Sequence, residues 1–280
     1  MDNNCAVCGS RKITRLRVTL KGVSLYKCAQ CGLVFCSPQP TTDSLSAGPN
    51  TVLTDEAFTQ GLLDPSTRSR YIRLSEARYE HYRSTLGRDR FRLLEIGCGS
   101  AGLATTFQRL GVDYFGIDID PRVVDAAKTF GVSNVRNIDL FDLDDATQYD
   151  VICFSQVLEH IKFPDQFVRK IVSILVPDGL VHCDVPNHRS LPSLLYRLPI
   201  NPARWGAITY PNHLFAYSKK TLRTLFGKFF SINVFDATVD DPLWGQAINQ
   251  GNILAKYSSA FRLLRGGSLL VAYGQRRSHV

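Results

Sequence analysis

What this chain lacks narrows the field first. No apolar run in its 280 residues approaches the roughly 20 needed to cross a bilayer. The opening Met-Asp-Asn-Asn-Cys has neither a basic start nor an apolar core, so it does not read as a secretory signal, and the expected location is cytoplasmic. No internal repeat and no low-complexity tract is present. Acidic residues are scarce near one end: residues 191–280 hold 3 Asp and Glu against 11 Lys and Arg, in a chain of formal net charge +8. A basic surface of this kind suits an anionic partner. Runs of Lys and Arg interleaved with aromatics are missing from the first 44 residues, which argues against nucleic acid as that partner. Hydrophobic content of 44% and charged content of 21% fit a globular protein with one main domain and an appendage.

The eight cysteines do not read as a disulfide framework. Four form Cys5-x-x-Cys8 and Cys28-x-x-Cys31, with 19 residues between the pairs and glycine (Gly9, Gly32) after each. Two such knuckles can close a tetrahedral sulfur site, so the spacing predicts a zinc ribbon. A closed site has no open position for water, which makes the Zn2+ structural. Cys36, Cys98, Cys153 and Cys183 read as packing residues.

The densest signal is Leu93-Leu94-Glu95-Ile96-Gly97-Cys98-Gly99-Ser100-Ala101-Gly102. It reads as a buried strand, a glycine turn and a helix start. Gly97 and Gly99 allow a sharp turn and close approach of a ligand. A second strand, Tyr114 to Ile117, ends in Asp118, placed where a carboxylate can bind two ribose hydroxyls. Asp120 competes for that role, but Asp120-Pro121 reads as a helix cap. A third run, Tyr149 to Phe154, leads into Ser155-Gln156-Val157-Leu158-Glu159-His160. A dinucleotide site is the main rival. Glu95 beside the turn would repel a pyrophosphate. Residues 91–190 carry 9 Lys and Arg against 14 Asp and Glu, a bias that favours a cationic ligand.

With these residues in view, the stretch from about 91 to 185 resembles a class I S-adenosylmethionine-dependent methyltransferase. Leu94-Glu95-Ile96-Gly97-Cys98-Gly99-Ser100 resembles its first motif and Gly116-Ile117-Asp118 its second. Val157-Leu158-Glu159-His160 resembles the fourth-strand motif of ubiquinone-type O-methyltransferases and sugar methyltransferases. Ala101 departs from a frequent glycine. The resemblance implies that Glu95, Gly97, Cys98 and Gly99 face the methionine part of the cofactor. Asp118 would hold the ribose, Ile119 pack on the adenine, Asp139 accept from the adenine amino group, and Gln156 and Leu158 line the cleft. Tyr26-Lys-Cys-Ala-Gln-Cys-Gly-Leu-Val-Phe35 resembles the metal-binding segment of sugar C-methyltransferases and relatives linked to polysaccharide assembly. Tyr210-Pro211-Asn212-His213, followed by aromatics and Ser218, resembles their Tyr-x-Glu-His segment. It implies His213 as base with Tyr210 beside it, and His160 as a second candidate. Asn212 replaces the family's Glu, which leaves O-methylation open beside C-methylation.

The expected fold is α/β: a doubly wound, seven-stranded Rossmann-like sheet behind a small N-terminal zinc ribbon. Residues 1–44 form the ribbon module, 45–90 a linker and a helix (about 66–87) over the cofactor cleft, and 91–280 the methyltransferase domain. The sheet's last strand is antiparallel by resemblance alone. Arg189, Arg197, Arg204 and Trp205 mark a long connection that can act as a substrate lid. The expected acceptor is a small anionic molecule, sugar-linked, either a nucleotide-sugar or a glycan on a lipid pyrophosphate, with peripheral membrane contact. Two other readings stay open: an RNA methyltransferase, and a catalytically silent partner-binding subunit.

Overall fold

Leu93, Leu94 and Ile96 are apolar on both faces of one short strand, which requires cover on both sides of a sheet. The computed structural model describes residues 4–40, 65–129, 131–195, 197, 204–237 and 267–278. Residues 41–64, which hold the linker read at the start of 45–90, lie outside them. An antiparallel hairpin and a third strand come first: β1 (Ile13–Leu20), β2 (Val23–Cys28) and β3 (Val34–Ser37). A long helix, α1 (Pro65–Leu86), follows and ends at Gly87, whose φ of +69° suits glycine.

The core then alternates. Its first half is β4 (Arg92–Ile96), α2 (Ala104–Arg109), β5 (Asp113–Asp118), α3 (Pro121–Thr129), β6 (Val135–Asn137) and β7 (Tyr149–Ser155). Next come α4 (Pro164–Ile174), β8 (Leu175–Pro186), α5 (Leu191–Leu195), β9 (Arg204–Trp205), β10 (Ile208–Thr209) and β11 (Phe215–Ala216). The last elements are α6 (Lys219–Phe226), β12 (Phe230–Ala237) and β13 (Leu269–Arg276). Seven strands form one sheet in the order β12-β13-β8-β7-β4-β5-β6. Strands β4 to β8 run parallel within it, and β13 is antiparallel to both neighbours, as the resemblance implied.

Each face of the sheet carries its own core. On one, Tyr82, Phe107 and Tyr114 stack at centroid spacings of 6.4 Å. On the other, Phe154 meets Phe167 edge-on at 5.3 Å and stacks with Phe226 at 6.4 Å. The second core runs on into the N-terminal strands, taking in Leu25, Leu33 and Val34. Strand β11 explains this continuity. It pairs with β3 and is the fourth strand of the N-terminal sheet, with Phe215 opposite Phe35 and Ala216 opposite Val34.

The alternation of runs predicts a helix near 102–110 and a strand near 180–185; both differ in their bounds, and the connection expected as a lid carries structure of its own. Helix α2 starts at Ala104, not 102, because Gly99 and Ala101 take φ of +54° and +53° and spend the preceding residues on turns. Strand β8 starts at Leu175, continuing straight out of α4. The connection expected as a lid contains α5 and the β9–β10 hairpin.

Phe154→Ala leaves a ring-sized void between α4 and α6. We expect a loss of about 3–5 kcal/mol of stability, read from the urea midpoint at unchanged m-value.

Candidate active site

The carboxyl ends of β4, β5 and β7 emerge side by side. Gly97 turns the chain at φ +65°, and a Cβ there would lie 2.5 Å from Val157 Cγ2. Asp118 follows β5. Its Oδ2 accepts from the Gly99 amide at 3.0 Å and its Oδ1 from the Asp120 amide at 3.0 Å, which ties the carboxylate to the glycine turn. Asp120 instead accepts from the Arg122 amide and pairs with the Arg122 guanidinium, the capping role read for it. Ile119, next to Asp118 in the chain, is 75% exposed, and Phe141, in the short turn after β6, is 50% exposed. Asp139 caps the short turn Leu140–Asp142 by accepting from the Phe141 amide at 2.9 Å, leaving its second oxygen uncommitted to that cap. Cys98 is buried against Gly116.

Beneath the turn lies a buried charged layer. Glu95 accepts from Tyr114 Oη at 2.6 Å. Burial pushes its pKa up to about 7, against the pull of that bond and of Arg78. Arg78 of α1 reaches Asp184 of β8, Nη2 to Oδ2 3.5 Å, with both side chains all but inaccessible. Asp184 also accepts from Ser155 Oγ at 2.6 Å and Gln156 Nε2 at 3.3 Å. Gln156 takes φ +55°, so its side chain turns back toward β8. Burial raises Asp118 and Asp184 as well. Two buried carboxyls, Glu95 and Asp184, thus act on one arginine, with Asp118 beside the turn above them, a set that a cationic ligand would relieve. Tyr71 of α1 lies on the turn so closely that a Cβ at Gly102 would sit 2.7 Å from its ring. Leu158 corrects one expectation: it is fully buried in the core and does not line the cleft.

The second cluster follows β7. His160 and His213 stand edge to face with centroids 4.9 Å apart. His160 Nδ1 lies 2.7 Å from the Asn212 carbonyl, and His213 Nδ1 2.8 Å from the Ala207 carbonyl. A carbonyl only accepts, so each Nδ1 carries the proton and each neutral ring keeps its lone pair on Nε2. Burial, followed by neighbouring His160, lowers the His213 pKa to about 4, so the ring is neutral at pH 7. Glu159 joins them: ligand atoms of Glu159, His160 and His213 lie within 4.8 Å of one another. Both Glu159 carboxyl oxygens are buried without a hydrogen-bond partner, and burial pushes the pKa to about 8. Tyr210 packs at the edge of the core and precedes the hairpin's exit through Pro211.

The four N-terminal thiols converge. Cys5 and Cys31 Sγ are 3.5 Å apart, Cys8 and Cys28 3.6 Å, and all four lie within 4.8 Å. A zinc with sulfur at about 2.3 Å needs edges of about 3.8 Å. The donor set therefore fits Zn2+. All eight cysteines are free of disulfides.

A family model described as a methyltransferase domain matches residues 66–229, more than half of the chain. This protein belongs to the S-adenosylmethionine-dependent methyltransferases of class I. A ubiquinone biosynthesis O-methyltransferase of Pelagibacter ubique (strain HTCC1062) is 29% identical over 159 residues, covering 50% of this chain and 66% of that protein. One from Cereibacter sphaeroides (strain ATCC 17025 / ATH 2.4.3) is 33% identical over 102 residues, 34% of this chain and 41% of its own. The chain thus spans less than two thirds of the length of these curated relatives. Among solved structures, the plantazolicin methyltransferase BpumL, in complex with a monoazolic desmethylPZN analogue and SAH, aligns with TM-score 0.58 at 15% identity. The alignment covers 84% of this chain and 93% of that one, and it shows the shared fold.

In this methyltransferase the structure brings Glu95, Gly97, Cys98, Gly99, Asp118 and Gln156 to the carboxyl ends of the adjacent strands β4, β5 and β7, and sets His213 against His160 just beyond β7. Sequence reasoning missed Asp184 and Glu159. Arg78 was legible, since helical spacing puts it with Tyr71, Leu74, Ala77, Tyr82 and Leu86 on one face of α1, and it is 1% exposed. Glu159 lay inside a quoted motif without being read as a site residue.

Glu159 and Glu95 keep their protons in the folded chain above the pH at which the unfolded chain releases them, near 4.5. The folded state therefore loses stability as pH rises from about 5 to 8. We expect the thermal midpoint, without divalent cation, to fall across that range, and Glu159→Gln to flatten the part above pH 7. Superimposable profiles would show that this carboxyl is not the cause.

Proposed function

We propose that this methyltransferase transfers the S-adenosylmethionine methyl group to a hydroxyl of a small anionic acceptor, in its specific form a sugar-linked one. The observation that carries the reading is the neutral His160–His213 pair at the end of β7, one strand from the turn tied to Asp118. The cofactor supplies a methyl already activated by a cationic sulfur. The protein's task is to align the acceptor and exclude water. Glu95 and the Gly97–Gly99 turn would bind the methionine part, where the excess of buried carboxyl over Arg78 favours a cation. Asp118 would take the ribose hydroxyls, Ile119 and Phe141 the adenine faces, and the free oxygen of Asp139 the adenine amino group. His213 Nε2 would accept the acceptor's proton, with Tyr210 and His160 holding the loop. Asn212 removes a carboxylate that would strengthen His213, which favours oxygen over carbon as the atom methylated.

The relatives' names support an oxygen acceptor and speak for ubiquinone intermediates beside sugars. The basic residues 191–280 support an anionic one. In the N-terminal module a structural zinc would be held by Cys5, Cys8, Cys28 and Cys31. Among the described residues no helix is long and apolar enough to cross a membrane.

One observation favours a second reading of the same centre. Glu159 has two buried, unpartnered oxygens beside two imidazoles whose Nδ1 protons are already held by carbonyls. That is the usual arrangement around a metal-binding histidine. A divalent cation there would lower the acceptor hydroxyl's pKa, a task for which a histidine near pKa 4 is weak. Calorimetric titration with Mg2+ and Mn2+ separates the two. Heat of binding abolished by Glu159→Gln supports the cation, and no heat leaves His213 as base.

Asp118→Ala should weaken S-adenosylhomocysteine binding by about tenfold or more, roughly one lost charge-assisted bond. His213→Ala should spare that binding and cut turnover about 100-fold. Equal loss of binding in both variants would overturn the division of roles. Turnover with nucleotide-sugars, catechols and RNA then sorts the acceptor.

A further inference from the structure

Residue His213 is followed by Leu214, and the Leu214 peptide is held from both sides. Its amide donates to the Glu159 carbonyl at 2.8 Å. Its carbonyl accepts from the Cys36 amide at 3.2 Å and the Cys36 thiol at 3.7 Å. One side of this clamp is the turn that carries Glu159 and His160; the other is the N-terminal module. The pairing of β11 with β3 extends the clamp by two residues, and the Phe35 ring lies 6.4 Å from Phe215 and 5.8 Å from Tyr26.

The metal cage sits directly behind β3. The Cys28 amide donates to the Leu33 carbonyl at 2.9 Å, and the Gly32 amide to the Cys28 carbonyl at 3.0 Å. Thr221 Oγ1 donates to the Cys31 carbonyl at 3.1 Å, and Lys228 Nζ to the Val7 carbonyl at 3.0 Å. A module this small, below about 40 residues, rarely folds on its own core without a metal or other staple. Its remaining support is the core it shares with the domain through β11, so its strand order depends on the cage together with that seam. The cofactor end does not. The hydrogen bonds of Glu95, Gly97, Gly99 and Asp118 run to Tyr114, Ile117, Asp120 and Asn137, and none reaches residues 4–40.

We propose that the four-cysteine module is a positioning element of the methyl-transfer site. Metal in the cage of Cys5, Cys8, Cys28 and Cys31 orders β3, β3 fixes β11, and β11 sets His213 against His160. The consequence for catalysis rests on the acceptor role given to His213 above; the mechanical coupling does not. The hairpin moves with it, since the His213 amide donates to the Thr209 carbonyl at 2.8 Å and its Nδ1 to Ala207.

The test uses the full chain and Cys8→Ser, the least buried of the four thiols, with zinc content measured. A chelator would also strip any cation near Glu159, so substitution is preferred. Hydrogen exchange is read on peptides covering 210–217 and 93–99. In the zinc-depleted variant, amides of 210–217 should exchange at least about tenfold faster while 93–99 stay protected. The Kd for S-adenosylhomocysteine should stay within about threefold, and turnover should fall about tenfold or more. Phe35→Ser, which keeps the cage but weakens the seam, should reproduce the faster exchange with zinc still bound. Unchanged protection of 210–217 after zinc loss would overturn the proposal. So would parallel loss of cofactor binding, because the metal would then hold the whole domain. If His213→Ala leaves turnover intact while 210–217 still loosens without zinc, the coupling stands and the role of His213 falls.

Discussion

Everything at this site depends on the parallel register of β4 between β5 and β7. Ile96 lies opposite Ile117 on one side and Phe154 on the other. That register brings the residues just beyond them, Gly97, Asp118 and Ser155, out at one level. A shift of one residue would turn every side chain of β4 to the opposite face. The buried runs on all three strands prevent it, because both faces of the sheet are packed. Site geometry here is a by-product of core packing, which is why so few polar residues have to be specified by the sequence.

The polar layer under the turn carries the opposite cost. Buried ion pairs recover their desolvation penalty only when geometry and extra hydrogen bonds are favourable. The contact between Arg78 and Asp184 is 3.5 Å, long for a charge-assisted bond, and Glu95 adds a second buried acid. An apolar layer of equal volume would be at least as stable. On the proposed placement of the cofactor, that charge lies where a cation would complete it, so stability and ligand recognition would oppose each other at one point in the fold.

The fold was legible because its signals are local. Gly97 and Gly99 announce a turn through residue type and spacing, and two Cys-x-x-Cys pairs with trailing glycines announce a cluster of four thiols. The seven-stranded sheet followed from alternation of apolar runs with amphipathic segments. What stayed hidden is non-local. Strands β9, β10 and β11 have two residues each, too short for any periodicity, and exist because of their partners. Arg78 shares the helical spacing of Leu74 and Tyr82, but its partner Asp184 lies 106 residues away and shows only once the helix is docked. Glu159 reads as an ordinary polar residue until both its oxygens prove to lack a partner. Ala101 was read as a departure in composition, whereas its φ of +53° shows what glycine supplies at that place.

The bond between Cys36 and Leu214 joins residues 178 apart in the chain. On the ribosome the N-terminal strands emerge early, but the strand that completes their sheet arrives later. At ordinary elongation rates the interval is about 10–35 s. Throughout it β3 presents an open edge, with Phe35 and Val34 uncovered, to any other nascent or misfolded strand. The smallest part of this protein is thus the part most exposed to the pace of its own translation.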